Sequence, residues 1–235
     1  MDGDELGVVL IVGASGLVGR EAVRLCLQDA TVREVRALLR RDVGLDDLLG
    51  PGEPLTDAQR SKFRPCVVDF DRLERHTGLF DVDTVFCALG TTLRQAGSQA
   101  AFRRVDFEWP LQVARLAHVH GARRFLLVSA LGASSRSRVF YNRVKGELED
   151  AVRDIGFQRL CVARPSLLQG ERGEFRPGER LGLCLSRWFF ALIPDSHRPV
   201  HVRQVAAALL AACCADQPGG PARRVLTNAE LRAML

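Results

Sequence analysis

The chain has 235 residues, 47% of them hydrophobic and 26% charged, with a formal net charge of +5. This length buries a substantial core and suits one α/β domain with additions, while the basic residues are too scattered for a nucleic-acid tail. No apolar run reaches the length of a membrane span, and the seven cysteines, without CxxC pairs or a histidine cluster, read as reduced buried thiols rather than a disulfide framework or metal site.

The opening residues MDGDE are acidic where a targeting segment would be basic, so a soluble cytoplasmic protein is expected. Val8 to Val12 is a short apolar, largely β-branched run that predicts a buried strand. Gly13, Gly16 and Gly19 follow at three-residue spacing, and a helix with Val18, Ala22, Leu25 and Cys26 on its buried stripe runs to about Ala30. In such a strand, turn and helix the first glycine allows a tight turn and the second lets the backbone reach a pyrophosphate. The third lets helix and sheet pack closely. The segment Gly13, Ala14, Ser15, Gly16, Leu17, Val18 and Gly19 is therefore the candidate phosphate-binding turn, with free N–H groups at the helix start facing the anion. The spacing is GxxGxxG rather than GxGxxG.

A second strand spans Arg33 to Leu39 and ends at Arg40 and Arg41, where a dinucleotide fold meets the adenosine ribose. An acidic residue there would grip the ribose hydroxyls of NAD. Arginines suit a 2′-phosphate, so NADP is expected, with NADPH preferred over NADH. Residues 42–62 are rich in Gly and Pro and read as a loop with one helical turn at Leu45 to Leu49. The third strand is placed at Phe63 to Phe70. Asp69 at its end either accepts from an adenine amino group or caps the next turn.

Val82 to Leu89 is the fourth strand, closed by Gly90, Thr91 and Thr92. Ser98 to His120 is the longest helical candidate, in which Pro110 marks either a kink or a restart. Arg123 to Val128 is the fifth strand and ends at Ser129. A helix from Val139 to Ile155 and a sixth strand from Phe157 to Ala163 follow. The alternation predicts an α/β fold, a doubly wound parallel sheet of Rossmann-like type with right-handed crossovers. Beyond Pro165, residues 166–200 read as a polar loop and an apolar helix over 181–193, forming a small substrate-side cap or lid within a single domain over 1–235. That helix lines a pocket, makes a subunit contact or is ordinary core. A short strand near Arg198 to Val202, an alanine-rich helix from Arg203 to Cys214, a strand at Arg223 to Thr227 and a final helix complete the chain.

Tyr141 is the only tyrosine, and Lys145 stands four residues on, which puts both on one helix face. An ammonium beside a phenol stabilises the phenolate, so such a tyrosine exchanges a proton near neutral pH. Ser129, at the end of the preceding strand, is placed to hold a substrate oxygen.

Several stretches together resemble the short-chain dehydrogenase/reductase superfamily in its atypical or extended branch. They are VGASGLVG at 12–19, Arg40, Asp69, CALGTT at 87–92, Ser129, YNRVK at 141–145 and Arg164-Pro165. More narrowly, FRRVDFEWP at 102–110 and the whole of 127–149 and 161–179 are similar to the group around Tat-interacting protein 30 and its bacterial relatives. The resemblance implies that Tyr141 is the proton donor or acceptor, that Lys145 also binds the nicotinamide ribose, and that Ser129 orients the carbonyl. It implies cofactor contacts from Arg40 with Arg41 beside it, from Asp69 and Phe70, from Ala88, Leu89 and Gly90, and from Arg164, Pro165 and Ser166.

Many other members have Asn-Ala-Gly where this chain has Ala88-Leu89-Gly90, and a relay asparagine for which Asp106 is the nearest polar candidate. The function implied is an NADP(H)-dependent oxidoreductase acting on a carbonyl or alcohol with an apolar portion, given Phe175, Trp188 and Phe189 in 166–196. The alternative is an NADP(H)-binding regulatory protein with little turnover. No nucleic-acid partner is expected, and a homodimer through the helices after the fourth and fifth strands is open.

Overall fold

The run at Val8 to Val12 forms β1 (Gly7–Val12) in the computed structural model, which describes residues 5–170, 198–214 and 223–234. Val9, Leu10, Ile11 and Val12 have no solvent exposure, as a parallel strand covered on both faces requires. The chain continues into α1 (Leu17–Gln28) and β2 (Val32–Leu39). Two short helices then follow, α2 (Leu45–Leu49) and α3 (Asp57–Ser61). Sequence pattern signals only the first. The second begins at a capping box in which Thr56 and Gln59 satisfy each other's backbone N–H groups.

β3 (Phe63–Val67) is shorter than predicted. Asp69 turns the chain by accepting the Asp71 N–H at 3.0 Å, and a largely 3₁₀ stretch runs over Phe70–Phe80. Pro65 is accommodated because β3 is an edge strand.

After β4 (Thr84–Cys87) and α4 (Leu93–Ala96), one helix is built from α5 (Gln99–Arg103), a π-helical turn (Arg104–Glu108) and α6 (Trp109–Val119). It neither breaks nor restarts at Pro110. Proline lacks the N–H that the Asp106 carbonyl would receive in a regular helix, and Trp109 instead donates to the Arg104 carbonyl, widening the turn. Then come β5 (Arg124–Val128), α7 (Phe140–Arg153), β6 (Arg159–Ala163), β7 (Leu168–Gln169), β8 (Val200–His201), α8 (Val202–Cys214), β9 (Arg223–Leu226) and α9 (Asn228–Ala233).

Seven parallel strands lie in the order β3-β2-β1-β4-β5-β6-β9, and β7 and β8 pair separately. α1 and α8 cover one face, packing on Val9, Ile11, Leu126 and Cys161. The 3₁₀ stretch, α6 and α7 cover the other, packing on Leu10, Val12, Val85, Leu127 and Val162. This is the expected doubly wound, Rossmann-like arrangement, and its strand order reverses between β1 and β4, where such sheets open a crevice at their carboxyl ends. Most of the lid expected over 166–200, including Phe175 and the apolar helix at 181–193, lies outside the described residues.

α7 is held against the 130–139 loop at one closely packed point. A Cβ on Gly146 would lie 2.1 Å from the Ser134 carbonyl carbon and 2.2 Å from the Ser135 nitrogen, both backbone atoms. Gly146→Ala is therefore expected to destabilise the fold by about 2–3 kcal/mol. A melting experiment should read this as a Tm lower by roughly 4–12 °C. An unchanged Tm would show that the loop yields freely.

Candidate functional site

The glycine turn after β1 is shaped by its neighbours. Gly13 has φ +85°, a left-handed conformation, and a Cβ there would lie 2.7 Å from the Ala88 carbonyl and the Leu89 nitrogen. Only glycine lets the two turns at the ends of β1 and β4 come this close. Gly19 makes its close approach within the turn: a Cβ there would meet the Gly13 carbonyl oxygen at 2.1 Å. Gly16 is exposed and caps α1 without any side-chain hydrogen bond. The first N–H groups of the helix are thus left for an anion. Ala14 and Val18 are buried, while Ser15 is exposed.

The turn after β4 is the centre of the site. Asp106, carried inward by the π-helical turn, has no solvent exposure. Its Oδ2 accepts the Thr91 N–H at 2.8 Å, and its Oδ1 lies 2.8 Å from the Lys145 ammonium. Lys145 is on α7 and its side chain is only 5% exposed. A Cβ on Gly90 would stand 3.2 Å from Asp106 Oδ1 and 3.4 Å from Lys145 Nζ, so the ion pair sits directly against this turn. Burial alone would push the Lys145 ammonium down, but Asp106 first, with Tyr141 and Cys87, holds its pKa above the ordinary lysine value. Burial pushes the Cys87 thiol up to about 11, which keeps it protonated.

Tyr141 lies one turn before Lys145, half-buried, with its ring 5.6 Å from that of Phe102. Its hydroxyl has no hydrogen-bond partner among the described residues.

Ser129 is placed differently from expectation. It is buried, and its hydroxyl donates to Glu149 Oε1 at 2.6 Å. A hydroxyl has one proton, so this geometry leaves none to donate to a substrate oxygen. Glu149, 1% exposed, also receives Arg164 at 3.0 and 2.7 Å and Arg223 at 3.3 Å. Arg164 is thereby drawn to α7. Pro165 accepts the Leu131 N–H at 2.8 Å, and Ser166 is tied to Asn228 and to the Arg198 carbonyl.

Arg40 and Arg41 are exposed at the carboxyl end of β2, and neither guanidinium has a partner among the described residues. Arg40 borders an open cleft of about 440 Å³ lined also by Val67, Val68, Asp69, Phe70, Asp71 and Trp109. Of the two roles open to Asp69, the capping one is occupied, through Asp71 N–H. Trp109 stacks near Phe70, ring centres 5.2 Å apart, and donates its indole N–H to Asp71 at 2.9 Å.

The contacts of Trp109 and Thr91 and the place of Glu149 are features of these surroundings that sequence reading did not single out. Glu149 had a readable signal, because it extends the Tyr141, Lys145 spacing by another four residues along one helix face. The contacts of Trp109 and Thr91 had none, since they come from distant elements.

No family model matches the chain. Rat HTATIP2 is 37% identical over 189 residues, covering 80% of this chain and 72% of the rat protein. The mitochondrial protein fmp52 of Aspergillus niger is 30% identical over 193 residues, covering 80% and 76%. FMP52 of Candida albicans, also named as mitochondrial, is 28% identical over 179 residues, covering 76% and 75%. Among solved structures, the UDP-Glc/GlcNAc 4-epimerase of Campylobacter jejuni matches with a TM-score of 0.67 at 14% identity, covering 97% of this chain and 82% of that one. MoeE5 in complex with UDP-glucose and NAD matches with a TM-score of 0.66 at 16% identity, covering 94% and 75%. At these identities the structural likeness is one of fold.

The names of the fungal relatives overturn the cytoplasmic expectation, for they point to mitochondria. That expectation rested on the charge of a few residues, which speaks only to one kind of address signal. Among the described residues no helix is long and apolar enough to cross a membrane.

Proposed function

The chain belongs to the HTATIP2 family within the short-chain dehydrogenase/reductases, with their NAD(P)-binding type of fold, and from this we propose that it is an NADP(H)-dependent oxidoreductase acting on a carbonyl or alcohol. One observation carries the reading. Lys145 of α7 stands against the Gly90 turn, with Tyr141 one helical turn before it, close enough to act on its charge, and with no hydrogen bond from the Tyr141 hydroxyl among the described residues.

The chain's residues fit a dinucleotide. The Gly13–Gly19 turn offers backbone N–H groups to a pyrophosphate. Arg40, with Arg41 beside it, offers an unpartnered guanidinium to a 2′-phosphate, and Asp69, Phe70 and Trp109 wall the cleft that Arg40 borders. Ala88, Leu89 and Gly90 would flank a bound cofactor on the β4 side. When bound, the nicotinamide supplies or accepts the hydride. Tyr141 gives its hydroxyl proton to the carbonyl oxygen in the reducing direction and takes it back in the other. Lys145 places its positive charge beside Tyr141 and would also hold the ribose of a bound cofactor.

Ser129 completes the proposed set in a supporting role. Its proton is held by Glu149, which also draws in Arg164, so it ties the end of β5 to the helix that bears Tyr141 and Lys145. Arg164, Pro165 and Ser166, which follow β6, would lie on the nicotinamide side of a bound cofactor.

Titration with NADPH and with NADH tests the cofactor, followed by a screen of carbonyl compounds monitored by NADPH consumption. Tight NADPH binding with turnover of a screened carbonyl supports the reading. Binding of neither nucleotide would overturn it.

A further inference from the structure

We propose that Asp106 is the positioning residue of this site: it anchors the Lys145 ammonium against the cofactor turn and closes the inner end of the proton path instead of relaying through it. The proposal rests on the reading that Tyr141 and Lys145 handle the substrate proton.

Two independent contacts converge on this carboxylate, and the helix that bears it is shaped to deliver it. The widened turn over Arg104–Glu108, forced by Pro110, brings Asp106 from the α5–α6 helix into the core. Oδ2 receives the Thr91 N–H and so fixes the turn after β4, while Oδ1 faces Lys145 on α7. A π turn at such a junction is a frequent mark of a functional site. Both partners are buried, and Oδ1 has no other partner among the described residues. A relay group must hand its proton onward. Here one oxygen is taken by a backbone N–H, the other faces only the ammonium, and neither touches solvent. The carboxylate therefore ends the chain of groups and acts through charge.

The groups facing Lys145 are Asp106 from the π turn, Tyr141 from α7 and Cys87 from β4. Asp106 is the only carboxylate among them. Without it, a buried ammonium would give up its proton at lower pH, since desolvation would stand unopposed. Asp106→Asn keeps the size of the side chain and its acceptor for Thr91 while removing the charge.

The decisive measurement uses the protein without cofactor: denaturant unfolding of wild type and Asp106→Asn across pH 6 to 10. In wild type the folded chain holds the Lys145 proton more firmly than the unfolded one, so Lys145 adds no rise with pH and only a slight fall toward pH 10. In the variant the folded chain binds fewer protons than the unfolded one above the lowered lysine pKa. The stability of Asp106→Asn relative to wild type should therefore rise with pH toward 10. A flat difference overturns the proposal.

A second variant, Asp106→Asn with Lys145→Met, removes the lone ammonium and should be flat in pH and more stable at neutral pH than Asp106→Asn alone. If Asp106→Asn does not fold while the double variant does, the proposal is supported; if both fail alike, it is overturned. With a substrate in hand, Asp106→Asn should also gain an alkaline loss of kcat/KM roughly 2–4 pH units below any in wild type. Absence of NADPH turnover in wild type would overturn the function proposed above while leaving the unfolding result to decide the role of Asp106.

Discussion

Tyr141→Phe is expected to lower carbonyl reduction by about 100- to 10,000-fold, the usual contribution of a positioned general acid. The change should leave NADPH binding and stability nearly unchanged. The ring contact with Phe102 survives, and the lost hydroxyl makes no hydrogen bond to the described protein. This separates chemistry from folding, which substitution of Lys145 cannot do, because it would leave Asp106 buried without its counter-charge. The check is steady-state turnover of the carbonyl found by screening, together with a nucleotide titration and a melting curve of the same preparation. A variant that binds NADPH and retains most of its turnover would remove Tyr141 from the reaction. A wild-type protein that binds NADPH tightly but turns over nothing would favour the regulatory alternative.

Arg40→Ala is expected to raise the Kd for NADPH by about 10- to 100-fold, the equivalent of a lost hydrogen-bonded charge pair, while leaving that for NADH almost unaltered. The selectivity of the effect is the point. Arg40 is exposed and makes no hydrogen bond or ion pair with the described protein that its removal would break, so a selective change in affinity would not come from the fold. Its position beside the cleft with Asp69, Phe70 and Trp109 places it at the adenosine end of the proposed site. The NADPH preference should also weaken with salt, because the pair is solvent-accessible. Equal loss for both nucleotides would assign Arg40 to some feature they share. No loss for either would move the 2′-phosphate contact to Arg41, for which the same titration serves.

Sheet, helices and glycine turn were legible because their signals are local. The β-branched run at Val8 to Val12, the spacing of Gly13, Gly16 and Gly19, and the apolar stripe of α1 are each set by residues within a few positions of one another. The same holds for Tyr141 and Lys145, which helix geometry places on one face. Pattern reading failed where two local rules competed: the Gly and Pro around 42–62 hid the capping box of α3, and the apolar pattern of β3 ran on past the turn made by Asp69.

By itself the sequence determined the order of the main strands and helices, the position of the glycine turn, and the presence of a tyrosine–lysine pair after the fifth strand. Only the tertiary structure decided whom the polar side chains meet. Ser129 could serve a substrate until packing set it against Glu149, 20 residues away, which takes its single proton. Asp106 could be a relay until the π turn and the β4 turn enclosed it with Lys145. The physical reason is range. Backbone conformation follows from neighbours along the chain, whereas the partner of a buried charge is fixed by which elements the core brings together, and burial then makes that partner obligatory.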